Sequence, residues 1–71
     1  MSVLLNLRQA IAQKVSNKND EDIRDMIVNS VDGDEMALPG LGVLFEMIWK
    51  QSDEATQNQF IHTIQQQLES T

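Results

Sequence analysis

Seventy-one residues with eleven acidic side chains against five basic ones give a net charge of −6 at pH 7, and the chain contains no cysteine. These facts exclude a disulfide framework and thiolate metal ligation, leave room for one domain over residues 1–71, and oppose binding to duplex nucleic acid, whose phosphates repel such a surface. The bases Arg8, Lys14, Lys18, Arg24 and Lys50 are scattered and form no basic stripe.

The opening Met1-Ser2-Val3-Leu4-Leu5 is interrupted by Asn6 and Arg8 before it reaches the length of a secretory core. From Asn6 onward a helix is predicted over residues 7–16. Leu7, Ala10, Ile11 and Val15 fall at i, i+3, i+4 and i+8, one stripe of a helix. Asn6 with Gln9 has capping-box spacing, and Leu5 with Ala10 has that of a hydrophobic staple. Ser16-Asn17-Lys18-Asn19 reads as a loop, because short polar side chains compete for backbone hydrogen bonds.

Asn19 or Asp20 caps the second predicted helix. Asp20, Glu21 and Asp22 in its first turn meet the positive end of the helix dipole, which accounts for the acidic run. Ile23, Met26, Ile27 and Val31 form its apolar stripe with Ser30 beside them, while Asp25 and Asn29 face water. Gly33 stands where a left-handed residue ends a helix. Asp32-Gly33-Asp34-Glu35 begins like a calcium loop, but Met36, Ala37, Leu38 and Pro39 follow where alternating oxygen ligands are needed.

The third predicted helix starts at Pro39, which loses nothing at the first helical position because the amide hydrogen it lacks has no partner there. Gly42, Glu46 and Lys50, four apart, define one narrow polar strip. Leu41, Val43, Leu44, Phe45, Met47, Ile48 and Trp49 cover the rest. The run from Leu41 to Trp49, broken by Gly42 and Glu46, is far shorter than the ~20 apolar residues that span a bilayer, so a soluble protein is expected. Leu41, Leu44, Phe45, Ile48 and Trp49 are the expected core. At roughly 2 kcal/mol each, their burial would supply about 10 kcal/mol, the order of a small domain's whole stability. Val43 and Met47 lie on a further face that one small bundle leaves open, where a second chain would dock. Ser52 caps the fourth predicted helix, with the stripe Gln57, Phe60, Ile61, Ile64 and Leu68, and Glu69-Ser70-Thr71 is expected to fray.

Together these elements predict an all-α fold, a small bundle of four short helices in which the second and fourth flank an apolar third and the first packs across them. Catalysis has little to use. His62 is the only histidine, and no acid between Glu54 and Glu69 is available to orient it as a base. One histidine does not make a typical zinc site, and no catalytic residue, metal or cofactor is assigned. Gly40-Leu41-Gly42 at a helix start lacks both the third glycine of a dinucleotide fingerprint and the Lys and Ser or Thr of a phosphate loop. Gly40 then frees a turn and Gly42 admits a neighbouring helix. The alternative is a small-ligand-binding or inhibitory module that uses the Pro39–Gly42 helix start, its amides capturing a small anionic ligand or serving a regulatory partner. Pro39, Gly40, Gly42, Val43, Met47 and Trp49 are accordingly the candidate interface or ligand contacts.

Leu5-Asn6-Leu7-Arg8, Asp25-Met26-Ile27-Val28 and, above all, the run from Leu38-Pro39-Gly40-Leu41-Gly42 through Val43-Leu44-Phe45-Glu46 to Ile48-Trp49-Lys50 resemble the I-type small acid-soluble spore proteins of Bacillus-like spore formers. The resemblance covers nearly the full chain. It implies a minor, non-enzymatic protein made in the forespore and held in the spore core, within the cytoplasmic compartment. It does not imply the DNA coating of the abundant α/β-type spore proteins, and it supplies no binding residues. A chain this short needs stability beyond its own core, so a homodimer or complex with a protein partner is expected, with neither membrane nor nucleic acid as its target.

Overall fold

The second and fourth helices begin where a side chain takes up an amide that the helix itself leaves free. In the computed structural model, which describes residues 3–70 and the side-chain surroundings of residues 6–70, the chain forms α1 (Val3–Ser16), α2 (Asp20–Ser30), a 3-10 turn (Glu35–Ala37), α3 (Leu38–Gln51) and α4 (Glu54–Glu69). It is all-α, as the periodicities predict.

Asn19 caps α2, its Oδ1 accepting from the Asp22 amide at 2.8 Å. Asp53, not Ser52, caps α4, its Oδ1 accepting from the Thr56 amide at 2.8 Å. Ser52 instead closes α3: its amide donates to the Trp49 carbonyl at 3.3 Å and its Oγ to that of Ile48 at 2.6 Å. One short connection thus ends one helix and starts the next. Asn6 lies inside α1, so the predicted capping box with Gln9 does not form. Val3, Leu4 and Leu5 continue the helix by nearly a turn, and the backbone hydrogen bonds gained outweigh one cap. The side chain of Leu5, half of the predicted staple, lies outside the described residues.

At the end of α2 the left-handed residue is Asp32 (φ 58°), one position before the glycine expected to take that role. Aspartate tolerates this conformation. Gly33 is needed for space, since a Cβ there would stand 2.9 Å from the Asn29 carbonyl oxygen. The 3-10 turn then leads directly into α3, which starts at Leu38, one residue before Pro39.

α3 is the central element, but its most extensive neighbour is α1, followed by the 3-10 turn and then α2. This corrects the expected arrangement. α1 meets the strip predicted to face water at Glu46, which Arg8 reaches with two hydrogen bonds, Nε to Oε1 at 2.8 Å and a terminal nitrogen to Oε2 at 3.0 Å, while Gly42 and Lys50 stay exposed. Val43, on that side, is buried at 8% exposure, the one buried residue among those described. Phe45 and Ile48, expected in the core, are 41% and 46% exposed. The close approach expected at Gly42 is found at Gly40 instead. Ile11 Cδ1 approaches within 3.4 Å of a Cβ built at Gly40, whereas nothing lies within 4 Å of one at Gly42.

α4 joins α3 beside their connection. Phe60 meets Phe45 edge-on with ring centroids 6.0 Å apart, and Gln57 Nε2 donates to the Trp49 carbonyl at 2.9 Å. Farther along, Ile61, Ile64 and Leu68 are exposed. The result is an open arrangement. Its radius of gyration is 13.6 Å, against about 11 Å for a compact domain of this length. Its accessible surface is 6048 Å², some 1,600 Å² above the roughly 4,450 Å² expected of an 8 kDa monomer.

Candidate functional site

Three surface features of the described residues come from this packing: two hollows against α1 and an apolar face on α3 and α4. The larger hollow, of about 380 Å³, lies between α1, α2 and the approach to α3. Leu7, Ile11, Met26, Leu41 and Leu44 give it apolar walls, while Lys14 and Ser30 are its polar members and Pro39 and Gly40 close one side. Ser30 is already engaged, since its Oγ donates to the Met26 carbonyl at 2.8 Å. The smaller hollow, about 170 Å³, is bounded by Leu7, Pro39, Gly42, Val43 and the Arg8–Glu46 pair.

Arg8 and Glu46 dominate the local electrostatics. The hydrogen bonds from Arg8 hold the Glu46 carboxyl below its ordinary value against a smaller opposing effect of desolvation, and the charges of Arg8 and Lys50 act the same way as those bonds. Arg8 is raised in turn, first by its hydrogen bond to Glu46. Lys50 stands 4.0 Å from the same carboxylate, as its i, i+4 spacing predicts. No spacing rule links residues 8 and 46, so the sequence carries no signal for this tether.

The structure brings Pro39, Gly40, Gly42 and Val43 to the two hollows, but Val43 is covered from within the chain. Met47 is half-buried and borders neither hollow. Trp49 is half-buried with its ring centroid 5.9 Å from that of Phe45. The amides leading into the helix start are engaged. The Met36 amide donates to Asp34 Oδ1 at 2.9 Å, that of Ala37 to the Asp34 carbonyl at 2.9 Å, and that of Leu38 to the Glu35 carbonyl, while Pro39 has none. Two features escaped the sequence reading: Lys14 at the larger hollow, and the face made by Phe45 and Ile48 with Ile61, Ile64 and Leu68. The α4 stripe was legible as apolar. What the pattern did not reveal is that α3 covers so little of it.

His62 is exposed, its Nε2 3.3 Å from Gln66 Nε2. Among the described residues no three His, Asp or Glu side chains gather as a metal site, and no helix is long and apolar enough to cross a membrane.

The sequence matches the family described as small, acid-soluble spore protein I over residues 5–68. Curated relatives of that name include one from a Geobacillus species, 46% identical over 63 residues that make up 87% of this chain and 89% of the relative. Relatives in Bacillus cereus and Bacillus anthracis are 42% identical over 64 residues, covering 89% of this chain and 93% of theirs. No solved structure matches the chain.

Proposed function

We infer from one premise, that the chain belongs to the small, acid-soluble spore protein I family, that it is a non-enzymatic protein of the spore core, made in the forespore, which works by binding protein. The observation that carries the second half of this reading is the exposed apolar face. Phe45 and Ile48 on α3 continue through the Phe45–Phe60 contact into Ile61, Ile64 and Leu68 on α4, with exposures from 41% to 67%. A surface of this kind favours association over isolation in water. The acidic balance and scattered bases speak against duplex DNA as the partner.

A photo-reactive side chain placed at Ile64 in sporulating cells tests the reading. Covalent adducts with protein are expected on irradiation. A chain that remains unadducted, although folded and abundant, refutes association through this face.

One observation favours a second reading, in which the larger hollow beside Pro39 and Gly40 holds a small anionic ligand. The larger hollow has apolar walls and a single cation, Lys14, among its lining residues, which suits an amphiphile with one acidic end. Calorimetric titration with a medium-chain fatty acid checks this: binding abolished by Lys14→Ala supports it, and no heat above dilution dismisses it.

A further inference from the structure

We propose that the occupant of the α3–α4 face is a second copy of this chain, docked isologously with the two α4 helices antiparallel. The proposal rests on the association reading above and names the partner.

Charge points to a copy of the same chain. Although the protein carries a net −6, no residue from Ala55 to Leu68 bears a formal charge when His62 is neutral. Glutamine, asparagine and threonine flank the apolar stripe instead. Two like-charged molecules can therefore meet along this stretch without opposing charges in the contact, whereas a basic partner would find nothing there to pair with.

Spacing gives the geometry. Gln57, Ile61, Ile64 and Leu68 are separated by four, three and four residues, the alternation of a two-helix seam, with Gln57, already bonded to the Trp49 carbonyl of its own chain, closing one end. The stripe is centred between Ile61 and Ile64. A two-fold axis at that point sets Ile61 of each chain against Ile64 of its mate, and carries each Leu68 toward the other chain's Phe60 end, where Phe45 and Ile48 are exposed.

Area is available. Summed over the whole chain, the open fold exposes some 1,600 Å² more than a compact monomer of its mass, and a stable dimer needs roughly 800 Å² from each partner. The stretch from Ala55 to Leu68 brings no formal charge into such a contact, and the acids Asp53, Glu54 and Glu69 lie at its solvated ends.

The test combines sedimentation, site-specific disulfides and the cross-link in cells. The full chain is expected to sediment as a dimer at submillimolar concentration. Ile64→Glu, at a position already half exposed and in a helix that tolerates glutamate, should keep its far-UV helicity and weaken the dimer by about a hundredfold, because each interface gains two buried charges. The native chain has no cysteine, so oxidising a mixture of I61C and I64C chains reads the orientation directly: antiparallel pairing favours the mixed disulfide, and self-links alone overturn it. A wild-type chain that sediments as a folded monomer overturns the proposal, and so does a dimer that I64E leaves intact. In cells, an Ile64 adduct of twice the chain mass supports it. An adduct of another mass overturns the second-copy proposal while sustaining the association reading, and no adduct removes that reading as well.

Discussion

Replacing Val43 by alanine tests whether the core lies on the α1 side of α3. The substitution deletes two methyl groups, worth about 1.6 kcal/mol when fully buried, and at 8% exposure Val43 loses nearly all of it. Alanine returns roughly 0.5 kcal/mol of helix propensity, and imperfect collapse around the site removes a similar amount, so a net loss of about 1–2 kcal/mol is expected. Ile48→Ala deletes more carbon, but its side chain is 46% exposed. About half of a roughly 2.4 kcal/mol transfer term is at stake, and after the propensity gain the loss is under ~1 kcal/mol. Urea unfolding followed by far-UV dichroism and Trp49 fluorescence reads both. With a slope near 1 kcal/mol per molar urea for a chain this short, Val43→Ala should lower the midpoint by about 1–2 M and Ile48→Ala by clearly less in dilute protein. The Val43 effect should not change with concentration, whereas that of Ile48 should grow where chains associate. If Ile48→Ala proves the costlier change in dilute solution, the assignment of buried and open faces is refuted.

The Arg8–Glu46 tether predicts an acid-sensitive term in stability. Because the folded carboxyl titrates below its ordinary value, its contribution is full above that value and is lost as pH falls through the lowered one. Glu46→Gln should therefore flatten the acid limb of a stability-versus-pH curve, and an unchanged limb counts against the pair. Asp53 has the same sign: hydrogen bonds from the side chain and backbone of Thr56 lower its pKa, so Asp53→Ala should reduce helicity at neutral pH while Asp53→Asn largely preserves it, as read by dichroism. Two glycines should respond oppositely. Gly42→Ala, with open space at Cβ inside a helix, should stabilise by about 0.5–1 kcal/mol, whereas Gly33→Ala, which meets the Asn29 carbonyl at 2.9 Å, should lower the thermal midpoint. Loss of stability in both dismisses the packing described for Gly42.

Helix identity was legible because each segment carries its own evidence: the 3.6-residue stripe of Ile23, Met26 and Ile27, the cap at Asn19, and the proline at the start of α3. These are local signals. Which side of α3 faces inward was not legible, because that helix is apolar on nearly every side and its own periodicity is indifferent to the choice. α1 lies against the side that is buried, and Arg8 reaches Glu46 there across 38 residues. The candidate site divides in the same way. Pro39 and Gly40 do border a hollow, as their position at a helix start suggested, but Val43 is buried although its place with Met47, on a face one small bundle would leave open, pointed to a docking surface. A charge that pairs across helices reads, in sequence, like one that faces water.

The connection from Ser52 to Asp53 ends α3 and starts α4 within two residues, and the Gln57–Trp49 hydrogen bond and Phe60–Phe45 rings lie close beside it. Mechanically, α4 is a lever clamped at one end. Its first turns share the stability of α3, while the turns beyond Phe60 have exposed side chains. Those turns can open without unfolding the rest, so amide exchange should quicken from Gln57 toward Glu69. Docking would supply the second clamp: the least protected stretch of the free chain would become the part whose protection reports occupancy of the face.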